Sequence, residues 1–180
     1  MSEGTARNAK VLVPVLIGAL VAVALGVYGR EHTATGYGIS VPGFTSLITF
    51  KTWLASLATL FALVQLGSAL VMYGKIGSNP PTWIGGLHRW SGRLAFFAAV
   101  PVAVSCLYSL GFQTTTTRVL IHSILGCLFF GTFTIKMLVL TKRGVAGWVL
   151  PLLGGLAFAM LIGVWLTSAL WYFTNVGVSR

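Results

Sequence analysis

The sequence predicts an all-α integral membrane protein, a bundle of five transmembrane helices, on three observations. Of 180 residues, 56% are hydrophobic and only 8% are charged, against roughly 25% charged in a soluble domain. The apolar residues gather into five blocks, residues 11–28, 53–72, 91–110, 119–140 and 147–172. Each is long enough to cross a hydrocarbon layer of about 30 Å as a helix rising 1.5 Å per residue. No block alternates with the two-residue period of a barrel strand, and lipid penalises unpaired backbone groups.

The first block follows Arg7 and Lys10 and holds Ala22-Val23-Ala24, a sequence open to signal-peptidase cleavage that would leave four spans. Its apolar run continues through Tyr28, and Gly18, Ala22 and Gly26 make a small-residue stripe, so an uncleaved, packed helix is expected. A glycine-rich connection, residues 29–52, precedes the second block and is the segment suited to an outer flap or a partner contact. Asn79-Pro80-Pro81 ends the second helix and allows the third to begin near Trp83, with His88 inside it. Four threonines, Thr114 to Thr117, precede the fourth block. In the fifth, Gly155, Ala159 and Gly163 predict a close-contact face. The chain thus divides into a polar tail at 1–10, a transmembrane domain at 11–172 and a short tail at 173–180.

Charge placement predicts orientation. With the N-terminus inside, Arg7, Lys10, Lys75, Arg89, Arg93, Lys142 and Arg143 face the cytoplasm, and Arg30, Lys51, Arg118 and Arg180 face outward. Lys136 is expected to snorkel to the cytoplasmic face, giving a multi-pass plasma-membrane protein with its C-terminus outside. Trp53, Trp148, Trp171 and Tyr172 near block ends suit an interfacial belt against membrane lipid. The basic residues are spread between apolar blocks, a pattern for membrane faces and not for nucleic acid. Cys106 and Cys127 lie in apolar stretches and read as packing residues.

The only acids, Glu3 and Glu31, fall outside the blocks, so no intramembrane carboxylate relay is available. No hydrolase, nucleotide-binding or zinc-protease motif is present, and whether the chain is an enzyme stays open. Chemistry then rests on three histidines. His32 follows Arg30-Glu31 and reads as a solvated loop residue. His88 sits among Gly85, Ser91 and Gly92, with Arg89 and Arg93 placed to pair with haem propionates; the competing reading is a basic cluster that fixes topology and binds lipid phosphate. His122 lies four residues before Gly126, on one helix face, beside Arg118; the competing reading is a hydrogen-bonded structural histidine. The hairpin between them separates the two imidazoles by roughly 25 Å along the membrane normal, too far to clamp one iron. Gln65 is expected to hydrogen-bond across the bundle, and Gln65 or Lys136 could contact a quinone headgroup.

The segments His88-Arg89-Trp90-Ser91-Gly92-Arg93-Leu94-Ala95-Phe96 and Arg118-Val119-Leu120-Ile121-His122-Ser123-Ile124-Leu125-Gly126 resemble the third and fourth helices of the cytochrome b561 and ferric-reductase-like membrane families, and of an uncharacterised actinobacterial family sharing that core. The 34-residue step from His88 to His122 is similar to the spacing of consecutive haem-binding helices there. The resemblance implies a b561-like core over residues 53–172, haem b as cofactor, and His88 and His122 as ligands near opposite faces. It further implies Arg89, Arg93 and Arg118 near propionates. The second and fifth blocks lack the family's partner histidines, and Met72 is the substitute metal ligand at the depth of His88. The implied function is a haem-associated electron-transfer protein, alone or as a subunit with partner redox proteins. The alternative is a cofactor-free accessory or scaffold subunit of a membrane complex.

Overall fold

The structure is a computed structural model that describes residues 3–37 and 42–178, with side chains from Lys10 onward in the first helix. Arg180 and part of the first connection lie outside the described residues, as does the Arg7 side chain. Helix α1 spans Glu3–Glu31, α2 Leu47–Met72, α3 Ile84–Ser105, α4 Thr117–Leu140 and α5 Val149–Trp165. A π-helical turn, Cys106–Leu110, extends α3; another, Leu166–Leu170, joins α5 to a last short helix, α6, at Trp171–Asn175. Among the described residues, five segments are long and apolar enough to cross a membrane: Lys10–Glu31, Leu47–Met72, Ile84–Leu110, Thr117–Leu140 and Val149–Asn175. The expected five-helix bundle is therefore present, with no strand among the described residues.

The boundaries move at several ends. The backbone of the polar N-terminal segment is helical from Glu3, and α6 carries the fifth span into the C-terminal tail. Helix α2 starts six residues before the apolar block, at Leu47 and not Trp53. Ser46 caps it: its hydroxyl accepts the Thr49 N–H, while the Thr49 hydroxyl receives the Ser46 N–H, a reciprocal pair of the capping-box kind. This start draws Lys51 and Thr52 into the first turns, where both are buried.

Helices α2 and α3 pack closely along a seam that includes Ala58, Ala62, Ala95, Ala98 and Ala99. Helix α4 packs on α5, and α2 meets α5 and its π turn. Larger side chains bridge α3 to α4, where Phe96 stacks on Phe133 with ring centroids 4.2 Å apart. Helix α1 lies outside this group of four, on α4. Its small-residue stripe is the reason: a Cβ at Gly131 would stand 2.6 Å from the Gly18 carbonyl oxygen and 2.9 Å from the Ala22 Cβ. One face of the bundle, the N face, carries the 73–83 and 141–148 connections. The other, the C face, carries residues 32–37, 42–46, 111–116 and α6.

The first connection is tied down where it is described. Thr35 and Gly36 donate backbone N–H groups to the Tyr108 and Ser109 carbonyls, and the Ser109 hydroxyl donates to the Tyr37 carbonyl at 2.6 Å. His32 is consequently not a solvated residue. It is sandwiched between Tyr28 and Tyr108, with centroids at 5.0 and 5.2 Å, and its buried Nε2 has no partner among the described residues. The expected contact face on α5 also divides: Gly163 is pressed by Leu125, but nothing lies within 4 Å of a Cβ at Gly155.

Overpacking a tight seam typically costs about 1–3 kcal/mol. Gly131→Val should therefore lower the thermal midpoint of the detergent-solubilised protein by separating α1 from α4, whereas Gly155→Ala should leave it within a degree or so. Equal midpoints for both variants would show that the α1–α4 seam contributes nothing.

Candidate functional site

Between α2, α3, α4 and α5, in the half of the bundle toward the C face, lies a predominantly apolar cavity of about 330 Å³, within the size range of small-molecule sites. Both π-helical turns contribute to its wall, through Cys106 on one and Thr167 on the other. A π turn shifts the backbone ladder by one residue and often marks a working site in a helix. Here the second turn lies where α5 receives side chains from α4. Arg118 donates from Nη1 to the Thr167 carbonyl, and its guanidinium lies 3.9 Å from the Trp171 ring centre.

His122 lines this cavity and is anchored on the far side by α5. Its Nδ1 is 3.3 Å from the Val164 carbonyl and 3.2 Å from the Thr167 hydroxyl. That hydroxyl donates to the Gly163 carbonyl at 2.7 Å, so toward His122 it accepts. Both neighbours of Nδ1 are acceptors, which places the proton on Nδ1 and leaves Nε2 with its lone pair. Orientation of one imidazole nitrogen by a carbonyl frees the other to bind a metal. Beside the ring, Gly126 lines the cavity and a Cβ there would meet nothing within 4 Å.

His88 repeats the arrangement on the other helix pair. Its Nδ1 is 3.1 Å from both the Gln65 carbonyl and the Ser68 hydroxyl, and Ser68 donates to that same carbonyl at 2.9 Å. In each case a histidine docks on a carbonyl at position i and a hydroxyl at i+3 of the adjacent helix. His88, however, lines neither the large cavity nor a smaller one beneath it. Gln65 lies 14 residues along α2 from Lys51 in the large cavity's wall, a rise of about 21 Å. The two imidazoles therefore occupy opposite ends of the bundle, as their spacing predicts.

The other residues singled out from sequence separate in the same way. Arg118 lines the cavity with His122. Arg89 and Arg93 are exposed near the N face, Arg93 lying 5.0 Å from the centre of the Trp90 ring. Met72 is the last residue of α2, is 45% exposed, and lines neither cavity. The described residues contain no cluster of three or more His, Cys, Asp or Glu side chains that could hold a metal ion; the cavity wall carries one imidazole, that of His122.

Lys51 is the participant that sequence reasoning missed, and it meets Cys106, which the sequence reads as a packing residue. Read as an outward-facing loop charge, Lys51 is instead only 8% exposed, lines the cavity, and donates from Nζ to Cys106 Sγ at 3.5 Å. The signal was Ser46-Leu47-Ile48-Thr49, a capping pattern that starts α2 early and turns Lys51 inward. Cys106 and Cys127 are both free thiols in the cavity wall.

Nitrogen-15 spectra of histidine-labelled protein should show Nδ1-protonated imidazoles for both His88 and His122. Thr167→Val should mix the tautomers of His122 alone, and Ser68→Ala those of His88 alone. A dominant Nε2-protonated form in the unaltered protein would contradict the assigned network.

No curated protein and no solved structure matches the chain at a significant level. A family model does match residues 11–180. Its description is a family of unknown function, and the match spans all five membrane helices. The chain belongs to that family, DUF6529.

Proposed function

We propose that this protein is a membrane electron-transfer component that holds one haem b in the C-face cavity, with His122 as its single imidazole ligand. The observation that carries the reading is the His122 Nε2 lone pair, freed by the Val164 and Thr167 contacts on a cavity wall. Three properties of the site suit the group. The wall is largely apolar, Gly126 leaves space beside the imidazole, and two cations, Lys51 and Arg118, lie where no protein carboxylate is available. Arg118 uses one of its five N–H donors on Thr167, leaving others for an anionic substituent.

When bound, haem supplies a one-electron couple tuned by its axial ligand and surroundings. The chain's own residues do the rest. His122 fixes the depth of the group, Lys51 and Arg118 balance carboxylate charge near the C face, and the apolar wall excludes water. The cavity wall holds one imidazole among the described residues, beside the free thiols of Cys106 and Cys127, which favours a single histidine ligand over the paired histidines of the b561 pattern. His122, Lys51 and Arg118 would hold the group near one face, where it would supply its one-electron couple. This favours a subunit working with partner redox proteins or a quinone over a wire across the whole membrane. In this reading the protein lies in the plasma membrane with Lys10, Lys142 and Arg143 on the cytoplasmic side and the cavity toward the outside.

The test is purification in mild detergent from haem-sufficient cells, followed by a pyridine haemochrome assay. About one haem per chain is expected, with loss in His122→Ala and retention in His88→Ala. A folded, colourless protein, or full haem occupancy in His122→Ala, overturns the reading.

A further inference from the structure

Beneath the large cavity, with Phe129 and Leu161 shared between their walls, is a separate void of about 30 Å³. Four residues from four different helices define its polar character and its room: Gln65 of α2, Gly92 of α3, Lys136 of α4 and Gly154 of α5. Lys136 therefore does not snorkel outward as its position near the end of α4 predicts. Its Nζ points into the bundle and stands 3.8 Å from where a Cβ on Gly154 would be. Gln65, expected to hydrogen-bond across the bundle, instead abuts Gly92, where any side chain would collide with the carboxamide.

Neither the Lys136 ammonium nor the Gln65 carboxamide has a hydrogen-bond partner among the described residues. The remaining wall is alanine, glycine, leucine and phenylalanine. Lys136 is half-buried, and a cation facing so apolar a wall gains from a counter-charge, because partial desolvation penalises it. None of the described residues lining the void is acidic. The chain's two acids, Glu3 and Glu31, stand at the two ends of α1, and α1 contributes nothing to this void. The space is large enough for one small particle, since a water needs roughly 10–15 Å³ by this measure. It is too small for an organic acid.

We propose that this void is a binding site for a small monovalent anion of the halide class, held between the Lys136 ammonium and the Gln65 amide N–H. The anion neutralises the bundle's interior charge and locks α2, α4 and α5 together at this level. The site is independent of the haem reading, because His122 and the large cavity take no part in it.

The experiment is a thermal-unfolding titration of the detergent-solubilised full chain with chloride, exchanged against gluconate at constant ionic strength. Gluconate exceeds the void. The midpoint should rise and saturate with chloride, and bromide should substitute. Lys136→Met should abolish the dependence and Gln65→Leu should weaken it, while Lys142→Ala, an exposed cation, should retain it. Equilibrium dialysis of the unaltered protein with radiochloride keeps the test decisive if Lys136→Met does not fold, with about one halide bound per chain expected. A midpoint indifferent to the exchange, an undiminished response in Lys136→Met, or no bound radiochloride would overturn the site and leave water or a neutral lysine there.

Discussion

The constraint on which this bundle depends is a shortage of acids. In hydrocarbon every polar group must find a partner inside the protein, and here imidazoles and cations enter the bundle where no carboxylate is available to meet them. Helix carbonyls take that role. His88 docks on the Gln65 carbonyl, His122 on the Val164 carbonyl and Arg118 on the Thr167 carbonyl, in each case on the neighbouring helix. A helix carbonyl has a second lone pair after its intrahelical bond, and at the π turn after Trp165 the ladder itself is displaced. Ser68 and Thr167 complete the docking at the next turn. The polar contacts thereby fasten α3 to α2 and α4 to α5, two pairs that also pack extensively against one another.

That pairing explains where space remains. Alanines bring α2 and α3 together, and Gly163 with Leu125 brings α5 to α4. Between the two pairs, α3 and α4 are held apart by phenylalanines in the middle of the bundle, and the gap above them is the large cavity. Helix α1 closes against α4 through Gly18, Ala22 and Gly131, and its Gly29 carbonyl accepts the Phe112 N–H at 2.6 Å beside the C-face opening. The cations that enter the space, Lys51 and Arg118 above the phenylalanine layer and Lys136 below it, have no carboxylate partner among the described residues.

Much of this was legible in the sequence. Five apolar blocks, the proline pair at Pro80-Pro81 and the stripe on α1 correspond to the observed helices and to the α1–α4 seam, because length and small-residue spacing are local properties. His88 and His122 at opposite ends followed from residue counting alone. What escaped was set by neighbours distant in sequence. Thr49, Lys51 and Thr52 look like loop residues until the Ser46 cap starts a helix beneath them, and burial then depends on α3. His32 is partly shielded by stacking on Tyr108, 76 positions away. The π turns leave no compositional trace, and Lys136 turns inward because Gly154 on another helix leaves room.

The central claim is that a haem b is held by one imidazole, that of His122, with no second histidine opposite it. Electron paramagnetic resonance of the oxidised, haem-loaded protein examines that claim most directly, since the spin state of ferric haem reports its axial ligands. The account predicts an axial high-spin signal that disappears in His122→Gly and is restored when imidazole is added to that variant. A low-spin signal of two imidazoles in the unaltered protein would contradict it.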